Sequence, residues 1–149
     1  MPRATRTARP AHRPALAVMA WLRLVRVFQK VDRASAIHAR KFGLNVAQFD
    51  ILARVGAAEG LNQQEVADSL VVTKSNVCQL LDRLERRGLV ERRAAGRANC
   101  LHLTAAGRRL YGQIVPAHER LIAEQLSALS SEEQVRLLEI ARKLDRALG

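Results

Sequence analysis

Residues 73–88 read TKSNVCQLLDRLERRG, and the rest of the chain becomes legible from the helix this segment predicts. Thr73 is a good N-cap, because its hydroxyl can accept one of the unpaired amide protons of a helix's first turn. Val77, Leu80, Leu81 and Leu84 recur at three- and four-residue intervals, so they line one face that must be buried. Lys74, Ser75, Asn76 and Gln79 fall off that face near the helix start, and none of them is acidic. Arg86 and Arg87 place cations at the negative end of the helix dipole, and Gly88 provides the exit. An apolar back with a polar, hydrogen-bonding tip suits entry into a DNA major groove.

The chain has 149 residues, enough for one domain with a sizeable core. Apolar residues make up 48% and aromatic residues only 3%, a balance that favours helices over sheets. The formal net charge of +11 is unevenly spread. Residues 1–14 carry Arg3, Arg6, Arg9 and Arg13 and no acid, residues 43–72 are acidic, and positive charge returns over residues 73–109. This distribution points to a polyanionic partner, with a solubilising surface as the plain alternative. No apolar run approaches the ~18–20 residues that span a bilayer. The segment ALAVMAWL after the basic start is interrupted by Arg23 and Arg26, which argues against a signal peptide. A cytoplasmic chain with no membrane partner is therefore expected.

Chemistry-bearing clusters are sparse. Cys78 and Cys100 are too few for a disulfide framework and read as reduced, packed or half-exposed thiols. His12, His38, His102 and His118 are scattered, so no metal site or cofactor is expected, although His38 and His118 can meet across the helices of a dimer. The sequence offers no paired carboxylates, no nucleophile with a base and no glycine-rich phosphate loop, so no catalytic residues and no enzyme are expected.

In chain order, residues 1–14 are an Arg-, Pro- and Ala-rich arm without apolar periodicity, expected to be disordered. Residues 15–41 form a long amphipathic helix ended by Gly43. Asn45 with Gln48, and Asn62 with Glu65, are capping boxes for the next two helices, 46–58 and 63–70, with Leu61 between them as a one-residue strand edge. Val71 and Val72 turn the chain into the 73–88 helix, giving a helix-turn-helix. Residues 89–93 and 99–103 alternate as two strands joined by a hairpin tip at Ala94, Ala95, Gly96 and Arg97. A hairpin directly behind such a helix is a wing. Thr104 caps a helix running to about Leu129 and interrupted at Pro116, and Ser130 with Glu133 opens the last, 132–148.

The phrases GLNVAQFDIL, LNQQEVADSLVVTKSNVCQLLDRLERRGLVERR and LTAAGR together resemble the MarR family of winged-helix regulators, over about residues 16–148. The resemblance implies a mainly α (α+β) fold: a winged helix-turn-helix with a two-stranded wing and long N- and C-terminal dimerisation helices. It divides residues 15–149, one domain, into the winged unit at 45–109 and dimerisation helices at 15–42 and 110–149. It also implies an obligate homodimer, in agreement with terminal helices that carry more apolar stripe than one subunit can hide. Paired recognition helices one helical turn apart imply a pseudo-palindromic operator with half-sites about 10 bp centre to centre. One departure is plain. The family's wing usually carries an Asp–Arg run at its tip, whereas AAGRAN has Arg97 and no acid to brace it.

The expected contacts to double-stranded DNA are Thr73 at a phosphate, Lys74, Ser75, Asn76 and Gln79 in the major groove, and Arg92, Arg93 and Arg97 from the wing. Arg97 is the candidate for minor-groove insertion. Arg83, Arg86 and Arg87 are backbone contacts or partners of Asp82 and Glu85. In this family small, often aromatic or phenolic anions act as effectors. By position, Trp21, Arg26, Phe28, Phe49, Asp50 and Arg54 are the candidate lining here, with packing as the alternative for Trp21 and Phe28. The function expected is a sequence-specific, dimeric, ligand-responsive transcriptional regulator, more simply a repressor. The competing reading is a non-sequence-specific nucleoid or RNA-binding protein that uses the basic arm.

Overall fold

The computed structural model describes residues 15–70 and 76–149. Among them the order is α1 (Leu16–Lys41), α2 (Val46–Ala57), α3 (Gln63–Ser69), α4 (Val77–Arg86), β1 (Val90–Ala95), β2 (Ala98–Leu103), α5 (Ala105–Gln125) and α6 (Ser131–Leu148). The expected disordered arm at 1–14 and the turn at Val71 and Val72 lie outside the described residues. The chain divides into two units at Lys30, the second being Val31–Gly149.

Local chemistry sets the ends of the helices. The side chains of Asn45, Asn62 and Ser130 each accept the amide of the residue three further on. Gln48, Glu65 and Glu133 return the bond to the cap's own amide. At the other end, Gly43 and Gly88 take φ values of 73° and 67°, the left-handed region that L side chains resist. The amides of Leu44 and Leu89 reach back to the carbonyls of Ala39 and Leu84, closing each helix with a Schellman turn.

Within the second unit, α2 is the hub and packs against α3, α4, α5 and β2. Ile51, Leu52 and Val55 of α2 are fully buried, and they meet the α4 face formed by Val77, Leu80, Leu81 and Leu84 in one core. Leu101 and Leu103 of β2, Val90 of β1 and Ile114 of α5 complete it. The wing pairs antiparallel, with Val90 opposite Leu103 and Arg92 opposite Leu101. Its inner residues are buried while Ala94 to Asn99 are exposed, so the hairpin's root is core and its tip is surface. The one-residue strand edge falls one position later than expected, at Asn62, which bridges Cys100; the Leu61 carbonyl accepts the Leu101 amide, and the Leu101 carbonyl accepts that of Gly60.

The described recognition helix starts at Val77, with Asn76 in the N-cap position and no side-chain cap bond, and the Thr73 cap expected for it lies outside the described residues. Three further expectations need correction. The wing strands run further than expected and leave a two-residue turn, Gly96 and Arg97, with positive φ at the glycine. Pro116 does not interrupt α5. Its missing N–H costs one intrahelical bond to the Gly112 carbonyl, and the packing of Ile114 and Val115 on the core carries the helix through. That helix nevertheless stops at Gln125, short of Leu129.

Apolar faces remain uncovered. In the first unit Leu16, Met19, Trp21, Leu22 and Phe28 are each half or more exposed. In the second, α6 buries no residue, and Val135, Leu138, Ile140 and Leu144 lie open.

Candidate nucleic-acid interface

The buried stripe of α4 fixes which residues face out. With Val77, Leu80, Leu81 and Leu84 held in the core, Asn76, Cys78, Gln79 and Arg83 are forced to the surface. Asn76 and Gln79 have no side-chain partner among the described residues, so their amide groups are free to bond elsewhere. Thr73, Lys74 and Ser75, the remaining expected contacts of this tip, lie outside the described residues. Cys78 is exposed beside Gln79, and Cys100 is half-buried on β2.

The three wing arginines have different surroundings. Arg97 stands at the exposed turn with no partner among the described residues. Arg93 is 55% exposed and pairs with Glu91 of its own strand, its Nε donating to Oε1 at 2.7 Å. Arg92 is only 22% exposed and is fully engaged. Its Nη2 donates to Asp82 Oδ1 at 2.8 Å and its Nη1 to Glu85 Oε2, both acids belonging to α4. Burial opposes the Arg92 charge, but the hydrogen bonds and negative fields of Asp82 and Glu85 outweigh it and hold the guanidinium above its ordinary value. For Asp82 and Glu85, pairing with arginines of their own helix is one of the two alternatives that the sequence leaves open. Arg86 instead donates to the Asp82 carbonyl, and Arg87 to the Gly43 carbonyl at 2.7 Å.

A second carboxylate supports the other strand. Glu59, just beyond α2, accepts the Leu103 amide at 3.0 Å and pairs with Arg108 at 3.1 Å, and Arg108 also reaches the Leu103 carbonyl. Neither clamp was legible beforehand, because each joins groups from different elements. The one available signal was Asp82 and Glu85 themselves, two acids three residues apart on an otherwise basic helix.

The six effector candidates are distributed as follows. Trp21, Arg26 and Phe28 are exposed on the first part of α1, where Trp21, Leu24, Val25 and Phe28 form an apolar groove. Phe49 is buried, with its ring 4.5 Å from that of His118. Asp50 is half-buried and Arg54 exposed, both on α2. Burial first, then the charge of Asp32, raises the Asp50 carboxyl to about 6. His38 and His118 do meet, but between α1 and α5 of one chain, their rings 5.7 Å apart, rather than between subunits. His38 Nε2 donates to the Ile114 carbonyl, and His118 Nε2 bonds Ser35 Oγ at 3.0 Å. Burial and the neighbouring His38 lower the affinity of His118 for a proton, with Glu119 opposing them.

Comparison with known proteins agrees with this geometry. The MarR family model matches residues 42–98, from just after α1 to the first residue of β2. An uncharacterized HTH-type transcriptional regulator of Bacillus cereus is 31% identical over 134 residues, covering 85% of this chain and 86% of its own length. A mutant MarR of Escherichia coli, crystallised with operator DNA, superposes with a TM-score of 0.75 at 25% identity, over 88% of this chain and 99% of that one. The organohalide-sensing regulator RdhR, in its ligand-free form, has the same fold, with a TM-score of 0.81 at 17% identity, over 99% and 89% of the two chains. No helix among the described residues is long and apolar enough to cross a membrane. The relatives are regulators of transcription rather than enzymes, and this chain belongs to the MarR family of transcriptional regulators.

Proposed function

We infer that this chain binds a pseudo-palindromic DNA operator as a homodimer and represses transcription until a small ligand weakens that binding. The observation that carries the reading is the pairing of an outward α4 tip, Asn76 and Gln79, with an Arg97 at the wing turn that has no partner among the described residues. Amide side chains can bond adenine bidentately in the major groove, and an arginine suits the narrow minor groove beside it. Lys74, Ser75 and Thr73 are proposed to extend the α4 contact, and Arg93 to lie along the backbone. The dimer is supported by the open apolar faces of α1 and α6, which a second copy would remove from water. Ligand responsiveness draws on the organohalide sensing of RdhR. For an anion, Arg54 is the exposed cation beside the half-buried Asp50 on α2. Release requires that the ligand bind better to the conformer that binds DNA less well.

Footprinting of the DNA upstream of the chain's own gene, with sedimentation of the free protein, tests the reading. It predicts a dimer that protects two half-sites and is not competed off by unrelated DNA at ~150 mM salt, where purely phosphate-driven binding has weakened steeply. A monomer, or protection without sequence preference, contradicts it. A ligand screen read by thermal shift and then by DNA release tests the effector part.

A further inference from the structure

We propose that Arg92 is a positioning residue that sets the angle of the wing against α4, rather than a residue that touches DNA. The inference rests on the DNA-binding reading above and assigns a part to the three charged groups that reading leaves unused. Arg92 spends both arms of its guanidinium inside the protein, one on Asp82 and one on Glu85. Glu85 also takes the Arg92 backbone amide, at 3.4 Å, through its other oxygen. One residue of β1 is thus fixed to two turns of α4 by main chain and side chain together. A lysine could not reproduce this, because a single ammonium lacks the planar fork that spans two carboxylates.

Charge and leverage support the assignment. A phosphate contact from Arg92 would require breaking both ion pairs and leaving two bare carboxylates facing a polyanion. Within the trio one of those two negative charges is instead cancelled, which lessens the cost of placing two acids on a DNA-facing helix. Beyond Arg92 the hairpin has little to hold it: Ala94, Ala95, Gly96, Arg97 and Ala98 are exposed, and the tip carries no acid. From Arg92 to Ala95 the strand extends about 10 Å, so a tilt of ~10° at the root carries Arg97 about 2 Å, enough to break a hydrogen bond. Pairing at the root replaces the bracing that the tip lacks.

The test uses full-length protein and a duplex recovered by selection from random sequence. Arg92→Gln, Arg92→Lys and the double variant Asp82→Asn with Glu85→Gln are compared with wild type, with thermal unfolding confirming that each is folded. The brace predicts that Arg92→Gln weakens binding on the order of tenfold and flattens the salt dependence only through the loss of Arg97's contact, so that adding it to Arg97→Ala changes the slope no further. Hydroxyl-radical footprints lose the wing's minor-groove protection and keep that of α4. Arg92→Lys fails to rescue, and the double variant weakens binding although it removes negative charge. A salt slope shallower by a further ~0.9 per subunit when Arg92→Gln is added to Arg97→Ala, or tighter binding by the double variant, overturns the proposal. Amide exchange without DNA separates the two readings: the brace predicts faster exchange at residues 94–98 in Arg92→Gln, and unchanged exchange there refutes it. Failure of the wild type to select any duplex instead refutes the DNA-binding reading.

Discussion

Asp50 sits half-buried on α2, and burial first, then the negative charge of Asp32, raises its carboxyl from 3.8 to about 6. Between those values the folded chain holds a proton that the unfolded chain has released. Stability from this group is therefore full below about pH 4 and is lost as the pH rises through about 6. A shift of about two pKa units corresponds to ~3 kcal/mol at 1.36 kcal/mol per unit. Part of the carboxyl still faces water, and solvent screening reduces the penalty at neutral pH to about 1–1.5 kcal/mol. Asp50→Asn removes the charge and keeps the shape, so it is expected to stabilise the fold by about that amount near pH 7.5 and by nothing near pH 4. Urea unfolding at fixed protein concentration, run at both pH values, measures the difference. A loss of stability near neutrality, or an equal gain at both pH values, would refute the reasoning.

Four further outcomes follow from the same geometry. Leu84→Ala, at a fully buried position that also closes the Schellman turn with Leu89, is expected to cost about 2–5 kcal/mol in urea unfolding. Gly107→Ala would place a Cβ 1.9 Å from the Leu89 carbonyl oxygen, a backbone atom that cannot step aside. It is expected to cost about 1–3 kcal/mol, whereas Gly112→Ala, with nothing within 4 Å, should gain about 0.5–1 kcal/mol by the same assay. Arg97→Ala should flatten the dependence of log affinity on log salt by about 0.9 per subunit, read by fluorescence anisotropy, because Arg97 has no other engagement among the described residues.

What could be read from sequence depended on how local the controlling physics is. The boxes at Asn45, Asn62 and Ser130 close within four residues, so their residue types suffice to place three helix starts. The same holds for the glycine exits at Gly43 and Gly88, and for the α4 stripe that leaves Asn76 and Gln79 outside. Pro116 misled because a local rule was applied where packing around Ile114 decides. Arg92 looked like one more basic wing residue, since its engagement depends on β1 folding back along α4, ten positions from Asp82. The His38 and His118 contact is illegible for the same reason: the approach of α1 to α5 within one chain leaves no trace in spacing.

The central claim is that paired α4 tips and wings select a particular duplex. Selection from random-sequence DNA by the full-length chain at ~150 mM salt tests it most directly, because purely phosphate-driven binding has weakened steeply by then. The account predicts enrichment of one pseudo-palindrome with half-sites about 10 bp centre to centre, and a relaxed preference within each half-site for Gln79→Ala. Recovery of no common sequence, or of one that Gln79→Ala binds with undiminished preference, would contradict it.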